Sequence, residues 1–470
     1  MKKTLLILLV LTSGFAFSQT PCESGFAGSF PCEGLDFQDQ VTLATFDAFL
    51  ANDNWGWTDP DTGKEYAIIG LSNGTGFVDI SNPTDVVYLG KLPTRTEASI
   101  WRDMKVYNNH AFIVSEADDH GMQIFDLTRL RTVGSPPVTF TEDAVYDGFG
   151  SAHNIVINED TGFAYAVGTD TFSGGIHMVN IQSPLLPQFA GGYSDAGYTH
   201  DAQVVTYSGP DGAHTGKELF FGSNEDVVVI VDVTDKADPQ LLSMVDYSDT
   251  GYTHQGWLTE DQRYFLLADE VDEIIFGFET KTIVFDVSDL DDPQFAFNYF
   301  SQNPSTDHNG YVVGDHFYLA SYRSGLRVLD ISNIDSDIIV EDFYFDTWPD
   351  SNNAGTGNGA WNVYPFFESG NLVITDQDNG FILVRESGLS TTDQEILEAM
   401  AYPNPMIDQL TIQYNDPIAN VKIYNLAGQI VKTVDAIDGQ GTMTLDVSQL
   451  MAGFYLLQIN DGPVQKLMKR

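Results

Sequence analysis

Six times along this chain, and a seventh time in degenerate form, an apolar run ends in Asp or Asn, followed by a branched aliphatic residue and then a polar one. The copies stand at 76–81 (Gly-Phe-Val-Asp-Ile-Ser), 122–128, 176–181, 229–234, 282–288 and 326–332, with a degenerate seventh at 380–385. Pro83, Pro184, Pro239 and Pro293 follow four of them by a few residues. A second β run precedes each copy, from 66–71 in the first unit to 372–375 in the last. Short β runs returning at a period of about 45–55 residues indicate one four-stranded sheet per repeat, because a single repeat cannot bury its own faces. Stacking around an axis supplies the core. Seven copies predict an all-β chain with a seven-bladed β-propeller over 41–388.

Ring closure is also readable. The seventh copy ends near Glu386 without a fourth strand, while 41–46 alternates like a strand with no repeat around it. It sits where 241–247 and 295–300 sit in their units. The expectation is that 41–46 completes the last blade and removes the exposed edges of an open array.

A composition shift marks a second domain. Of the 67 acidic and 21 basic residues, 401–470 holds only six Asp against five Lys and Arg. A polar stretch, 389–400, reads as a linker. Beyond it, runs at 410–414, 421–425, 429–434, 442–447 and 453–460 predict a small Ig-like β-sandwich.

The start of the chain is an address. Lys2 and Lys3 precede an apolar stretch, 5–17, and small residues then surround a cut before Gln19, so 1–18 reads as a signal peptide. No stretch is long enough for a transmembrane span. The two cysteines, Cys22 and Cys32, fall in the segment 19–40, and in an oxidising compartment they are expected to form a disulfide. A formal net charge of −46 argues against nucleic acid and against anionic membrane surfaces.

Two resemblances follow from motifs. Tyr402-Pro403-Asn404-Pro405, Val421-Lys422-Ile423-Tyr424-Asn425, Leu445-Asp446-Val447-Ser448 and Gly453-Phe454-Tyr455 resemble the sorting domain of the Bacteroidetes type IX (Por) secretion system. That resemblance implies recognition of 401–470 by the secretion machinery and an extracellular or cell-surface destination. The larger part is similar to the choice-of-anchor B family of LVIVD repeats. That likeness rests on Cys22 to Cys32 with Gly25-Phe26-Ala27-Gly28 between them, on Val229-Ile230-Val231-Asp232, and on a recurring Ala-His-Asn or Thr-His-Asp element. It implies fold and address, and no chemistry.

A column of residues at the start of each innermost strand carries the candidate site. It reads Trp55 or Asn54, then Arg102, His153, His200, His254, His308 and Trp361. The following residue is polar in the last six units: Asp103, Asn154, Asp201, Gln255, Asn309 and Asn362. Two readings stay open. In one, the column is architectural and bonds the backbone between neighbouring blades. In the other, His153, His200, His254 and His308 converge on a divalent transition metal, which imidazole suits better than Ca²⁺ does, with Arg102 steering an anionic group. Acidic turns at 116–120, 224–226 and 376–379, and an insertion at 269–278, should open on the same face. Neither G-x-S-x-G nor H-E-x-x-H nor a phosphate loop occurs. The sequence reading is therefore a binding module for an unidentified extracellular ligand, with a metal-dependent enzyme as the alternative.

Overall fold

The repeat motif builds the same corner each time. In a computed structural model, which describes residues 19–388 and, within 399–470, all but 403–405, 415–417, 419, 426–428, 436–441, 452 and 461–463, each copy is the end of a third strand. The motif's carboxylate or amide oxygen accepts the backbone N–H two residues on. The bonds are Ser81 to Asp79 at 3.0 Å, Thr128 to Asp126 at 2.9 Å, Gln182 to Asn180 at 3.0 Å and Thr234 to Asp232 at 3.0 Å. Ser288 to Asp286 and Ser332 to Asp330 repeat it. The aliphatic residue between them is buried and donates its N–H to the start of the second strand, as Ile80 does to Glu65 O and Val233 to Glu218 O. An Asx turn thus closes six of the seven corners, which is why those six carry Asp or Asn.

Among the described residues of the first unit, seven sheets result, each built on four antiparallel strands; the first gains a fifth, Val138–Thr139, parallel to Val87–Pro93, and the sixth gains two at its outer edge. Their first strands are Ala51–Thr58, Arg102–Tyr107, Asn154–Asn158, Asp201–Thr206, Thr253–Leu258, Gly310–Val313 and Ala360–Tyr364. Each packs beside the first strand of the next sheet, and the seventh packs beside the first. Apolar layers lie between consecutive sheets, for example Phe77, Phe125 and Ile113 between the first two. The layer with Val373 and Phe381 on one side and Ala67 and Ile69 on the other joins the seventh to the first. The second strands are buried throughout, as in Glu65–Leu71. The fourth strands are half-exposed, as in Gln240–Val245.

The closing strand differs from the expected one. Leu35–Val41, not 41–46, pairs with Gly380–Glu386 as the fourth strand of the seventh sheet. The alternating run after it turns into a short helix, Leu43–Phe46, because Thr42 Oγ1 accepts the Thr45 N–H and Asp47 takes a left-handed conformation that ends the turn. Phe46 is buried from that helix. The segment before the closing strand is structured too. Phe30–Glu33 adds to the outer edge of the sixth sheet beside Val340–Phe345, and Cys22 and Cys32 form the disulfide.

The chain divides into two compact units, 1–387 and 388–470. The second has a three-stranded sheet, Ala399–Tyr402, Gln409–Tyr414 and Thr442–Asp446. Its other sheet has four strands, Ile430–Asp435, Asn420–Asn425, Gly453–Ile459 and Val464–Lys469. Leu410, Ile412 and Leu445 of one sheet share an apolar core with Val421, Ile423 and Leu457 of the other. The expected signal peptide, 1–18, and most of the linker, 389–398, lie outside the described residues. Among the described residues no helix is long and apolar enough to cross a membrane.

Candidate functional site

The histidine column exists, and it is a stack. The imidazoles of His153 and His200 have centroids 4.0 Å apart, those of His200 and His254 4.4 Å, and those of His254 and His308 4.2 Å. The Trp361 indole continues the series 4.5 Å from His308. Each ring lies within two residues of the start of a successive first strand, so the stack follows the order of the sheets.

The stack is fastened sideways. His200 Nδ1 donates to the His254 carbonyl at 3.2 Å, and His308 Nδ1 donates to the Trp361 carbonyl at 2.6 Å. His254 Nδ1 has no hydrogen-bond partner. His153 Nδ1 instead meets Glu116 Oε1 at 2.6 Å. A carbonyl can only accept, so Nδ1 carries the proton in His200 and His308 and Nε2 keeps its lone pair. Burial pushes His200 and His254 well below the ordinary imidazole value, with their neighbouring imidazoles adding to it. Burial takes His308 to about 3. These three rings are neutral at physiological pH.

The four histidines do not converge on one point. What does converge is a smaller set: ligand atoms of His254, His308 and Glu270 lie within 4.8 Å of one another. His254 Nε2 is 3.9 Å from Glu270 Oε2, while Glu270 Oε1 accepts the Tyr322 hydroxyl at 2.7 Å. Burial raises the Glu270 carboxyl, against the Tyr322 hydrogen bond. Two imidazoles and one carboxylate are a donor set that suits zinc or non-haem iron.

Above the stack is a cavity of about 580 Å³, lined by His153, His200, Trp101, Tyr198, Tyr252 and Trp361 among others. Glu116, Glu270 and Gln377 also reach it, so the turn at 116–120, the insertion and the turn at 376–379 do open there. Sequence reasoning missed the three tyrosines. Two carried a signal, since Gly197-Tyr198-Thr199-His200 recurs as Gly251-Tyr252-Thr253-His254. Tyr322 comes from a short 3₁₀ turn after the second strand of the sixth sheet and had none.

Arg102 is not at the mouth. It is wholly buried, donating to Leu71 O at 3.2 Å and Thr94 Oγ1 at 2.7 Å, with Nη1 3.0 Å from His120 Nε2. Burial lowers it to about 10. Burial, followed by the Arg102 charge, takes His120 to about 4, and a neutral His120 can accept the guanidinium proton. Arg102 therefore holds two sheets together, and Trp101 beside it faces the cavity. In the first sheet a bulge between Ala51 and Asn54 moves the column. Asp53 takes its place, accepting Trp361 Nε1–H at 3.1 Å and Asn309 Nδ2–H at 2.9 Å. Trp55 lies further along its strand and lines a second cavity of about 310 Å³ with Trp257, Tyr364, Phe366 and Lys105.

Three residues of the polar column one residue on are clasps. Asp103 Oδ2 accepts Ile155 N–H at 3.0 Å, Gln255 Oε1 accepts Gly310 N–H at 2.9 Å, and Asn362 Nδ2 donates to Asn54 O at 3.0 Å. Each bond crosses from one sheet to the next.

Residues 400–470 match the Secretion system C-terminal sorting domain. The chain thus carries the address for type IX secretion to the cell surface or the extracellular space, as its motifs led us to expect. No curated protein matches the chain. Among solved structures it is similar to PorZ, a surface component of the type IX secretion system of Porphyromonas gingivalis, at 14% identity and a TM-score of 0.45. That likeness covers 87% of this chain and 58% of that one, so the chain spans little more than half of PorZ. It is also similar to Kuenenia stuttgartiensis hydrazine synthase, at 12% identity and a TM-score of 0.49 over 72% of this chain and 96% of that one. The β-propeller domain of Cps50 (Swd1) from Myceliophteria thermophila matches at 10% identity and a TM-score of 0.47, covering 75% and 99%.

Proposed function

We propose that this chain is an extracellular binding module, with a seven-bladed β-propeller whose histidine-bearing mouth takes a ligand and an Ig-like tail that serves export. The observation that carries this reading is the 580 Å³ cavity over the stacked rings, where imidazole, indole and phenol faces meet two carboxylates. Aromatic faces with a few convergent polar groups are what small-molecule and sugar sites use. The first-strand ring and the interleaved apolar layers support the propeller. The motif resemblance supports membership of the choice-of-anchor B family and cleavage of a signal peptide before Gln19.

The test is retention. The mature chain is immobilised beside a Tyr252→Ala, His153→Ala variant, and both are challenged with polysaccharides and proteins released by the producing cells. A ligand held by the first and lost from the second supports the mouth as the site. Equal retention of every ligand sinks it.

A second reading has one observation behind it, the proximity of His254, His308 and Glu270. A divalent transition metal would be held there by two neutral imidazoles and a carboxylate, with the cavity supplying open positions. The four-histidine version of that site is set aside, since only His254 and His308 of the four bring ligand atoms together with Glu270.

A further inference from the structure

The insertion in the fifth sheet hides a charge cluster that the mouth does not use. It leaves the second strand, Tyr264–Asp269, makes a short helix, Asp272–Phe276, and rejoins the sheet at Lys281. Asp272, Glu273 and Lys281 are all at most 3% exposed, and so is Asp307 from the loop before the sixth sheet. Asp269 is also buried but is satisfied by Gly251 N–H, Tyr252 N–H and the Tyr247 hydroxyl. The other three carboxyls share a single ammonium.

Lys281 Nζ is in close contact with the Asp272 carboxyl. Yet neither Asp272 oxygen has a hydrogen-bond partner. The contact lies outside hydrogen-bonding geometry. The one hydrogen bond Nζ makes, to Asp249 O, is long at 3.4 Å. Otherwise Nζ faces the rings of Phe278 and Tyr247, 5.1 and 6.0 Å away. Glu273 lies against Asp272 with both its oxygens unbonded, and burial pushes it up to about 9, so it stands there as a neutral acid.

An ammonium and a carboxylate sealed in such a place cost several kcal/mol each in lost hydration. An amide in their place carries neither charge, because two protons of the ammonium leave with one carboxyl oxygen as water. We propose that Lys281 and Asp272 condense spontaneously into an intramolecular isopeptide bond, with Glu273 as the proton carrier. Lys281 Nζ attacks Asp272 Cγ, and the new N–C bond forms as the C–OH bond breaks. Glu273, already protonated, gives its proton to the departing hydroxyl as it takes one from the attacking nitrogen. One water leaves, and no oxidant or other reactant is needed. The product is a neutral amide across the base of the insertion. It pins the segment whose preceding residues, Glu270 and Val271, line the cavity.

The test is a mass. The purified mature chain, with its disulfide reduced, should be lighter than its sequence by one water. Trypsin should then fail at Lys281 and release 264–323 as one fragment carrying the deficit. Glu273→Gln keeps the shape and removes the proton carrier, and this variant should show the full mass and cleavage at Lys281. A native chain of full mass that is cut at Lys281 overturns the proposal, as does a water deficit that maps elsewhere, such as a succinimide at Asp211-Gly212. A Glu273→Gln chain that still lacks one water overturns the role given to Glu273.

Discussion

His308 offers a clean separation of clasp from ligand. Its Nδ1–H donates to the Trp361 carbonyl at 2.6 Å, and its ring stacks between His254 and Trp361. Asn can place an amide nitrogen where Nδ1 sits, and Gln can place one where Nε2 sits. His308→Asn keeps the clasp and loses Nε2. His308→Gln strands the Trp361 carbonyl in a dry interior, which costs about 1–3 kcal/mol. His308→Asn leaves only a small gap, costing about 1 kcal/mol at most on the usual scaling with cavity size. The assay is denaturant unfolding followed by tryptophan fluorescence. All six tryptophans lie between 55 and 361, so the signal reports the first unit alone. The expected order of midpoints is native, then His308→Asn, then His308→Gln, with unchanged slopes. A His308→Asn chain as unstable as His308→Gln would refute the idea that Nδ1 fastens the sixth sheet to the seventh.

Other outcomes follow from the same structure. Metal content of the mature chain, measured by elemental mass spectrometry, should approach one transition-metal ion per chain if the second reading holds, and should fall to background in Glu270→Gln. Absence of metal from the native chain removes that reading and leaves the binding module. Replacing Cys22 and Cys32 with Ser should cost roughly 2–3 kcal/mol for so short a loop, read as a lower midpoint that reductant no longer changes. Asp232→Ala should cost about 1 kcal/mol through its lost turn bond to Thr234. The motif carboxylates also set an acid limit. Burial alone would raise Asp79, Asp232 and Asp286, but hydrogen bonds and nearby cations outweigh it, and Ser332 lowers Asp330 directly. With folded values below the unfolded one, their contribution is complete above about pH 4 and is lost as pH falls through the folded values. Stability should therefore drop below about pH 4, and less steeply in Asp232→Ala.

The corners were the most legible part of the fold, because an Asx turn demands a side chain that sequence shows directly. The closing strand was misplaced by six residues for a physical reason. A bulge between Phe37 and Asp39 shifts the inward and outward parity of Leu35–Val41, so its alternation is broken. The helical turn behind it happens to alternate apolar and polar residues. The same cause misled the column in the first sheet, where a bulge passes the inward position to Asp53. Arg102 aligned with the histidines in sequence, but what decided its place was three acceptors, Leu71 O, Thr94 Oγ1 and His120 Nε2, brought there by other strands. Tertiary partners of that kind leave no periodic trace. Nor could spacing tell stacked imidazoles from converging ones, because both readings put one histidine at the start of each first strand.

The seventh sheet is sewn from the two ends of its unit: Leu35–Val41 is made first, and its partner Gly380–Glu386 comes last. Until the final repeat exists, Leu35–Val41 lacks its strand partner in the seventh sheet. Completion is thus reported by one event late in synthesis, immediately before the sorting domain begins. A chain truncated anywhere upstream lacks both the seal and the export address. Truncated copies lose the partner of Leu35–Val41 and the sorting domain together.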